Sequence, residues 1–338
     1  MNKKERTEAL VWLGECLFEL EGLESAIHKA GLANPFFTEE FCRLSLAAIR
    51  AWLKPDLLSE WMAGVPASTG SPKTAGLIMA GNLPLVGWHD LMCIFATGNR
   101  CRYKPSSQDS ILPNFLVDSI IREFPAAAAL LEKSDQMKGV DAIIATGSNA
   151  SAVHFHYYFR HIPRLIRGSR SSLGFIYGFE SSNELSLLCD DVMQYFGMGC
   201  RSITKLLVPE DYDFSPFFET LEKYRYLTGH HRFQNNAIYH QAIFLMNGDP
   251  FLENGILILR ENLVLFSPPG VLHYQFYKNL EEAHEIVRSH RQDLQCMVSH
   301  QAQFPGSIPF GTAQKPGLSD YADGADTMKF LLEAFPEN

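Results

Sequence analysis

The stretch "GVDAIIATGSN" (residues 139–149) decides how the surrounding chain folds. Its centre, from Ala142 to Ala145, is an uninterrupted apolar run, and the small and polar residues "TGSN" follow directly. Continuous apolar runs of this length are typical of strands that are buried on both faces of a parallel sheet. A segment of helical character, "ASAVHFHYYFRHI" (150–162), comes next. The sequence therefore predicts a buried strand, a turn and a helix over residues 139–162.

The same alternation of strand and helix continues on both sides of this stretch. Before it, helical segments follow two further predicted strands, "TAGLIMAGN" (74–82) and "RCRYKPSS" (100–107). The pattern restarts near residue 170, and the predicted strands there are "SSLGFIYG" (171–178), "SITKLLVPE" (202–210), "NGILILRENLVLF" (254–266), "VLHYQFY" (271–277) and "LQCMVSH" (294–300). Strands that alternate with helices predict an α/β fold, with helices on both faces of a parallel sheet.

This pattern divides the chain into two predicted domains. The first 65 residues carry apolar residues at helical spacing, and the first group of strands follows them. We place the boundary near residues 168–172, which assigns residues 1–170 to the first domain and residues 171–338 to the second. A chain of 338 residues is long enough for two domains with cores of their own.

Composition and charge exclude several classes of protein. The formal net charge is -9, whereas nucleic-acid binding depends on a basic excess. No apolar run approaches the roughly 20 residues that span a membrane, and the charged N-terminus "MNKKERTEAL" is unlike a signal peptide. The seven cysteines form no CxxC pair, which indicates free thiols in a reducing compartment. We expect a cytoplasmic protein with no nucleic-acid partner and no membrane span.

Small and polar residues follow three of the predicted strands, in "MAGN" (79–82), "KPSS" (104–107) and "ATGSN" (145–149). Ligands of parallel sheets bind at the carboxyl ends of the strands. Each cluster also has a simpler interpretation. Asn82 is a residue that turns or caps a chain, Lys104 is an ordinary solvated lysine, and Ser148 after Gly147 is either an N-cap or part of a phosphate site. No GxGxxG fingerprint follows a strand.

Cys200 is the cysteine whose sequence setting differs from the others. In "YFGMGCRSITKL" (195–206) it follows glycine at the predicted end of a helix, where other groups can approach closely. Arg201 would favour its thiolate, the reactive form. A structural, half-buried cysteine is the alternative, and a Cys–His protease is a second one, although no histidine lies near in sequence.

Two further patterns do not predict a site. The histidine-rich segments "HFHYYFRH" (154–161) and "HH" (230–231) lack a ligand set of metal-binding spacing, so we expect no metal. The basic run "RHIPRLIRGSR" (160–170) is typical of a solvated or structural stretch, with a phosphate-bearing ligand such as coenzyme A as the alternative.

The order of the clusters resembles the aldehyde dehydrogenase superfamily: GN-P after a strand, then KPS, TGS, GxGC and PFG. The chain looks most like the bacterial acyl-CoA reductases of the LuxC-like branch, on the segments "MAGNLPLVGWHDL", "DAIIATGSN", "YFGMGCRSITKLLVPEDYDF" and "DYADGADTMKFLL". The resemblance covers roughly residues 70–335. It implies an aldehyde-dehydrogenase-like fold, with a Rossmann-type parallel-sheet domain for the dinucleotide in the first domain and an α/β catalytic domain in the second.

The resemblance also implies roles for individual residues. Cys200 matches the nucleophile of that superfamily, and Asn82 matches the asparagine that helps to form the oxyanion hole. Glu261 is a weak match to the C-terminal cofactor glutamate. The cofactor-binding residues that the resemblance implies are Lys104, Ser106, Gly147 and Ser148.

One departure from the superfamily pattern bears on the reaction. Hydrolytic members carry a glutamate in an ELGGK-like segment, and the matching segment here is "IRGSR" (166–170). No Asp or Glu lies between Asp141 and Glu180, so the base that would activate water is missing from its expected place.

The expected function is therefore reduction of a fatty acyl-CoA to an aldehyde through an acyl-cysteine, with NADPH favoured over NADH as the cofactor. The expected partners are the acyl-CoA substrate and a second copy of the chain in a homo-oligomer. Two alternatives stay open: a cysteine acyltransferase or thioesterase without hydride transfer, and a non-enzymatic binding protein of the same fold.

Overall fold

A computed structural model describes residues 1–66 and 72–335, which form two compact units. The first unit contains Met1–Ser169 together with the C-terminal segment from Gly317, and the second unit contains Arg170–Pro316. The boundary predicted near residues 168–172 puts everything after residue 170 in one domain. The structure instead places the segment from Gly317 in the first unit, because its apolar residues are buried in that unit's core.

Helices form the N-terminal part of the first unit. Asn2 begins the first helix with a capping box, in which Asn2 and Glu5 each accept the other's backbone N–H. Thr38 caps the third helix through the backbone N–H of Phe41, and Pro55 begins the fourth. The helices are α1 (Lys3–Cys16), α2 (Leu23–Ala33), α3 (Glu39–Trp52) and α4 (Pro55–Trp61). Their apolar faces pack into the core that also covers the sheet of this unit.

The sheet of the first unit has five parallel strands in the order β3-β2-β1-β4-β5. The strands are β1 (Thr74–Ile78), β2 (Arg100–Lys104), β3 (Leu131–Lys133), β4 (Ala142–Thr146) and β5 (Arg164–Arg167). The helices between them are α5 (Trp88–Thr97), α6 (Ile111–Glu123) and α7 (Asn149–Tyr158). The apolar strands β1 and β4 lie next to each other inside the sheet, where both faces are covered. The predicted parallel sheet is thus confirmed.

The C-terminal helix α12 (Thr327–Ala334) completes this core. Met328 and Leu331 on its buried face belong to the same apolar cluster as α5. Ahead of it, the backbone carbonyl of Leu318 lies 2.8 Å from Nε2 of His89 on α5. The domain to which this helix belongs cannot be assigned from local sequence, because its partners on α5 lie more than 200 residues earlier.

A buried ion pair joins three elements of the first unit. Arg167 at the end of β5 donates to the carboxylate of Asp90 on α5 at 2.5 Å, and Arg167 is 3% exposed. The hydroxyl of Thr327 accepts from Arg167 at 2.8 Å and donates to Asp90 at 3.1 Å. Residues 160–170 were predicted to form a stretch that is either solvated or structural. Arg167 has a structural role, since it is buried and paired with Asp90.

Removal of one partner should destabilise the first unit strongly. We expect Asp90→Ala to lower the free energy of unfolding by about 3–5 kcal/mol, because Arg167 would stay buried without its counter-charge. All four tryptophans lie in the first unit, so urea unfolding followed by tryptophan fluorescence reports on this unit.

Two control variants define the mechanism of that loss. Glu132→Ala removes an exposed pair with Arg102 and should cost about 1 kcal/mol or less. Asp90→Ala combined with Arg167→Met removes both charges and should recover much of the lost stability. Equal stability of Asp90→Ala and Glu132→Ala would contradict the proposed importance of the buried pair.

The second unit has a seven-stranded sheet in the order β12-β11-β6-β7-β10-β9-β8, in which only the β8–β9 pair is antiparallel among the described residues. The strands are β6 (Ser171–Phe175), β7 (Ile203–Pro209), β8 (Leu252–Glu253), β9 (Ile258–Glu261), β10 (Val271–Tyr277), β11 (Leu294–Ser299) and β12 (Ile308–Pro309). The helices are α8 (Ser182–Met193), α9 (Ser215–Leu221), α10 (His231–Asn247) and α11 (Leu280–His290). The predicted strand over 254–266 is shorter than expected, since β9 covers four residues of it.

Candidate functional site

The predicted cofactor residues of the first unit lie at one edge of its sheet. Strands β2, β1 and β4 are parallel neighbours, so the segments that follow them leave the sheet at the same side. Two of these segments touch. A Cβ added to Gly81 would lie 2.4 Å from the Oγ of Ser106, and the N–H of Met79 donates to the carbonyl of Lys104 at 3.0 Å. Glycine is thus required at 81 for the loop of exposed Asn82 to pack on Ser106.

A buried carboxylate supports the loop that carries Asn82. Asp109 is 2% exposed, and its Oδ2 accepts the backbone N–H of Leu85 at 2.7 Å. Leu85 has a φ of 59°, a left-handed conformation that is uncommon for this residue type. Burial raises the pKa of Asp109 to about 7. No local sequence pattern marks Asp109, because its partner Leu85 lies 24 residues away.

Lys104 borders a groove of about 750 Å³ in the first unit. Its ammonium donates to the carbonyl of Asp135 at 3.3 Å and is otherwise exposed. The groove combines apolar and aromatic side chains with cationic and polar ones. The residues that line it are Ile78, Lys104, Asp135, Gln136, Met137, Lys138, Gly139, Val140, His154, Phe155, Tyr158, Phe159, His161 and Ile162. A slot of this composition can hold a flat heterocycle beside an anionic group.

Gly147 and Ser148 form the turn between β4 and α7. Ser148 is the N-cap of α7, and its Oγ accepts the N–H of Ser151 at 3.2 Å. The N–H of Gly147 donates to the carbonyl of Arg167 at 3.1 Å and so extends the β4–β5 pairing. The structure therefore shows the N-cap alternative for Ser148, while contact with a cofactor phosphate stays a prediction.

In the second unit, Cys200 follows a backbone turn of unusual conformation. Helix α8 ends at Met193, earlier than predicted, and the next residues include three with positive φ: Tyr195 (54°), Phe196 (57°) and Gly197 (71°). A non-glycine residue in this region costs on the order of 1–3 kcal/mol. Phe196 is held there by burial, with its ring centroid 4.5 Å from that of His230.

Hydroxyl groups fix the segment that carries Cys200, which is itself half-buried. The hydroxyl of Ser172 on β6 donates to the carbonyl of Cys200 at 3.0 Å. The Oγ of Ser202 accepts the N–H of Gly199 at 3.1 Å and the side-chain amide of Gln314 at 3.0 Å. The backbone on both sides of the thiol is therefore tied to two other parts of the second unit.

A second thiol lies at the same serine. The Sγ of Cys296 is 3.1 Å from the Oγ of Ser172. Because Ser172 has one hydroxyl proton and donates it to Cys200, the Cys296 thiol is the donor in this contact. Burial raises the pKa of the Cys296 thiol, and the nearby Ser172 and Arg201, which was predicted to favour the Cys200 thiolate, oppose that rise. Neither Ser172 nor Cys296 was predicted.

The predicted PFG segment is anchored by a buried carboxylate. Asp191 on α8 accepts the backbone N–H groups of Gly311 at 2.6 Å and Ala313 at 3.0 Å. Burial raises the pKa of Asp191 to about 7. The loop that it holds also carries Gln314, which reaches Ser202 beside the nucleophile segment.

The remaining candidates do not gather into a site. Glu261 lies at the exposed end of β9, and Ile166, in the place of the missing base, lies half-buried in β5. Across residues 1–66 and 72–335, no group of three or more His, Cys, Asp or Glu side chains is arranged to hold a metal ion. Over the same residues, every helix is too short or too polar to cross a membrane.

The cysteines should differ in their rates of alkylation. Burial raises the pKa of the other six thiols, which are Cys16, Cys42, Cys93, Cys101, Cys189 and Cys296. Their thiolate fraction at about pH 8 is therefore small. We expect limiting iodoacetamide to modify Cys200 first, as measured by peptide mass spectrometry. Faster modification of Cys296 than of Cys200 would identify Cys296 as the reactive thiol.

Comparison with known proteins identifies the fold. No family model matches the chain, and no curated protein matches it. Among solved structures, an indole-3-acetaldehyde dehydrogenase complexed with NAD+ is similar with a TM-score of 0.73 and 13% identity, over 98% of this chain and 82% of that one. An aldehyde dehydrogenase of Mycobacterium tuberculosis complexed with NAD+ is similar with a TM-score of 0.65 and 13% identity, over 88% of this chain and 73% of that one. An NAD-dependent aldehyde dehydrogenase of Sinorhizobium meliloti is similar with a TM-score of 0.64 and 14% identity, over 93% of this chain and 72% of that one. The chain has an aldehyde-dehydrogenase-like α/β fold.

Proposed function

We propose that this chain is an NAD(P)H-dependent reductase, of the LuxC-like acyl-CoA reductase type, that converts an acyl-CoA to an aldehyde through an acyl-cysteine at Cys200. The observation that carries the proposal is the position of Cys200 in this fold. Its half-buried thiol follows a glycine in a turn whose backbone is fixed by Ser172 and Ser202. In this proposal the first unit binds the cofactor and the second unit supplies the nucleophile.

The first step is acyl transfer to the cysteine. The Cys200 thiolate attacks the thioester carbonyl carbon, and a new S–C bond forms while the carbonyl oxygen gains negative charge. The backbone N–H of Cys200 and the side-chain amide of Asn82 would donate to this oxyanion. Collapse of the intermediate breaks the bond to the sulfur of coenzyme A, which leaves as a thiolate and takes up a proton.

The groove beside Lys104 fits a nicotinamide dinucleotide. Its apolar wall, which includes Ile78 and Val140, suits an adenine, and Lys104 and Lys138 suit phosphate groups. Asp135 is the acidic residue of the lining, and its backbone carbonyl already accepts from Lys104. The excess of cationic groups favours NADPH, which carries one more phosphate than NADH. When bound, the cofactor supplies the hydride that reduces the acyl group to the aldehyde.

The missing carboxylate separates this proposal from a thioesterase. No acid lies between Asp141 and Glu180. The segment expected to hold a base begins at the end of β5, where Ile166 packs against apolar side chains and Arg167 pairs with Asp90. Without a base to activate water, the acyl-cysteine should persist until it is reduced.

We expect acyl-CoA without cofactor to load Cys200 with a stable acyl group, seen as a mass increase on the intact protein. Cys200→Ala should not load, whereas Cys16→Ala, which removes another half-buried thiol, should load like the parent protein. Addition of NADPH should then release aldehyde. Release of free fatty acid at the rate of aldehyde formation would instead support the thioesterase.

Asn82→Ala should slow coenzyme A release in the acylation step by about 100- to 1000-fold, because one oxyanion donor is lost. Stopped-flow detection of the released thiol measures this step without turnover. The matched control is Gln108→Ala, an exposed amide in the adjacent loop, which should acylate at the parent rate. A loss confined to NADPH affinity would place Asn82 in the dinucleotide site.

A further inference from the structure

Cys200 lies in a β-turn whose geometry fixes the direction of its backbone N–H. The N–H of Ser202 donates to the carbonyl of Gly199 at 3.0 Å and so closes the turn, with Cys200 and Arg201 at its centre. The carbonyl of Gly199 and the N–H of Cys200 belong to one planar peptide unit, in which the two groups point in opposite directions. Because this carbonyl points into the turn, the N–H of Cys200 points out of it.

Ser202 holds Gly199 by its side chain as well as by its backbone. Its Oγ accepts the N–H of Gly199 at 3.1 Å and the side-chain amide of Gln314 at 3.0 Å. A hydroxyl oxygen has two acceptor positions, and these two donors occupy both. The buried Ser202 side chain has three staggered rotamers to choose from. The contact with Gln314 therefore selects the rotamer that meets Gly199.

Gln314 is itself held in place by the buried carboxylate of Asp191. One carboxylate oxygen accepts the N–H of Gly311 at 2.6 Å, and the other accepts the N–H of Ala313, the residue directly before Gln314, at 3.0 Å. A Cβ added to Gly311 would lie 2.8 Å from the side chain of Leu187, so the loop packs closely on α8. A chain of hydrogen bonds thus runs from α8 through this loop to the turn of the nucleophile.

We infer that Gln314 is a positioning residue of the proposed acyl transfer, an inference that rests on the proposed role of Cys200 as the nucleophile. Through Ser202 it fixes the peptide between Gly199 and Cys200, whose N–H would donate to the oxyanion. Such a donor is effective only when it is directed at the position that the oxygen takes in the intermediate. Gln314 acts on this donor through Ser202, without contact to the acyl group.

Two reactions of the same thiol separate this role from a general effect on folding. In acylation by p-nitrophenyl acetate, an S–C bond forms at a carbonyl carbon, an oxyanion develops, and p-nitrophenolate leaves. In alkylation by iodoacetamide, the S–C bond forms at a saturated carbon and iodide leaves, so no oxyanion develops. Both reactions need the Cys200 thiolate, whereas only acylation needs the directed N–H.

Gln314→Leu removes the amide and keeps most of the side-chain volume. We expect it to slow the burst of p-nitrophenolate at least about tenfold, short of the 100- to 1000-fold loss that follows removal of a whole oxyanion donor. Alkylation of Cys200, measured by peptide mass spectrometry, should keep the parent rate. The matched control is Gln303→Leu, at an exposed glutamine of the second unit, which should leave both rates unchanged.

A second variant tests the path through Ser202. Ser202→Ala should also slow acylation while sparing alkylation. The double variant Ser202→Ala/Gln314→Leu should be no slower than Ser202→Ala alone, because contacts that act as one unit are not additive. Losses that multiply in the double variant would show that Gln314 acts by another route, and would overturn the inference.

The remaining outcomes distinguish this inference from the proposed function. Parent-like acylation in Gln314→Leu, or equal slowing of acylation and alkylation, would overturn the inference alone. A burst that Cys200→Ala keeps would reject Cys200 as the nucleophile, and the inference with it. Selective loss of acylation in Gln314→Leu, in a protein that reduces no acyl-CoA, would sustain the inference and reject the reductase.

Discussion

The first unit depends on the buried contact between Asp90 and Arg167. A guanidinium with 3% exposure is stable only with a counter-charge, and this requirement fixes the end of β5 against α5. The carbonyl of the same Arg167 accepts the N–H of Gly147, so the ion pair also sets the turn at which α7 begins. Helix α7 supplies one wall of the Lys104 groove. Thr327 brings the C-terminal helix to the same point. One electrostatic requirement thereby connects the closure of the core with the shape of the proposed cofactor groove.

In the second unit, uncharged groups rather than an ion pair position the backbone of the candidate site. Ser172 donates its single proton to the carbonyl of Cys200 and accepts from the backbone N–H of Cys296, so the serine is fully occupied. Such a contact positions the backbone of the proposed nucleophile through uncharged groups. The left-handed turn at Tyr195 and Phe196 needs this support, because a strained backbone persists only where surrounding contacts determine it. The sequence around Cys200 shows the turn glycines, whereas the serine that fixes the turn lies on another strand.

The sequence patterns predicted features that depend on local residues, and they missed features that depend on contacts distant in sequence. Strand β4 was predictable because burial on both faces requires a continuous apolar run. The return of α12 to the first unit was assigned wrongly, since its Met328 and Leu331 look the same in either core. Helix α10 was missed because only Phe233 and Phe244 of its 17 residues are buried, so no apolar stripe marks it. For the candidate site, motif order placed the residues at strand ends, but the roles of Asp109 and Asp191 depend on partners that are distant in sequence.

The proposed chemistry requires the acyl-cysteine to outlast the departure of coenzyme A. One feature of the chain serves that requirement. The segment without acids between Asp141 and Glu180 removes the base that would direct water at the thioester. Hydrolysis of the intermediate is then limited by the missing base, so the acyl group stays on the cysteine until the hydride arrives.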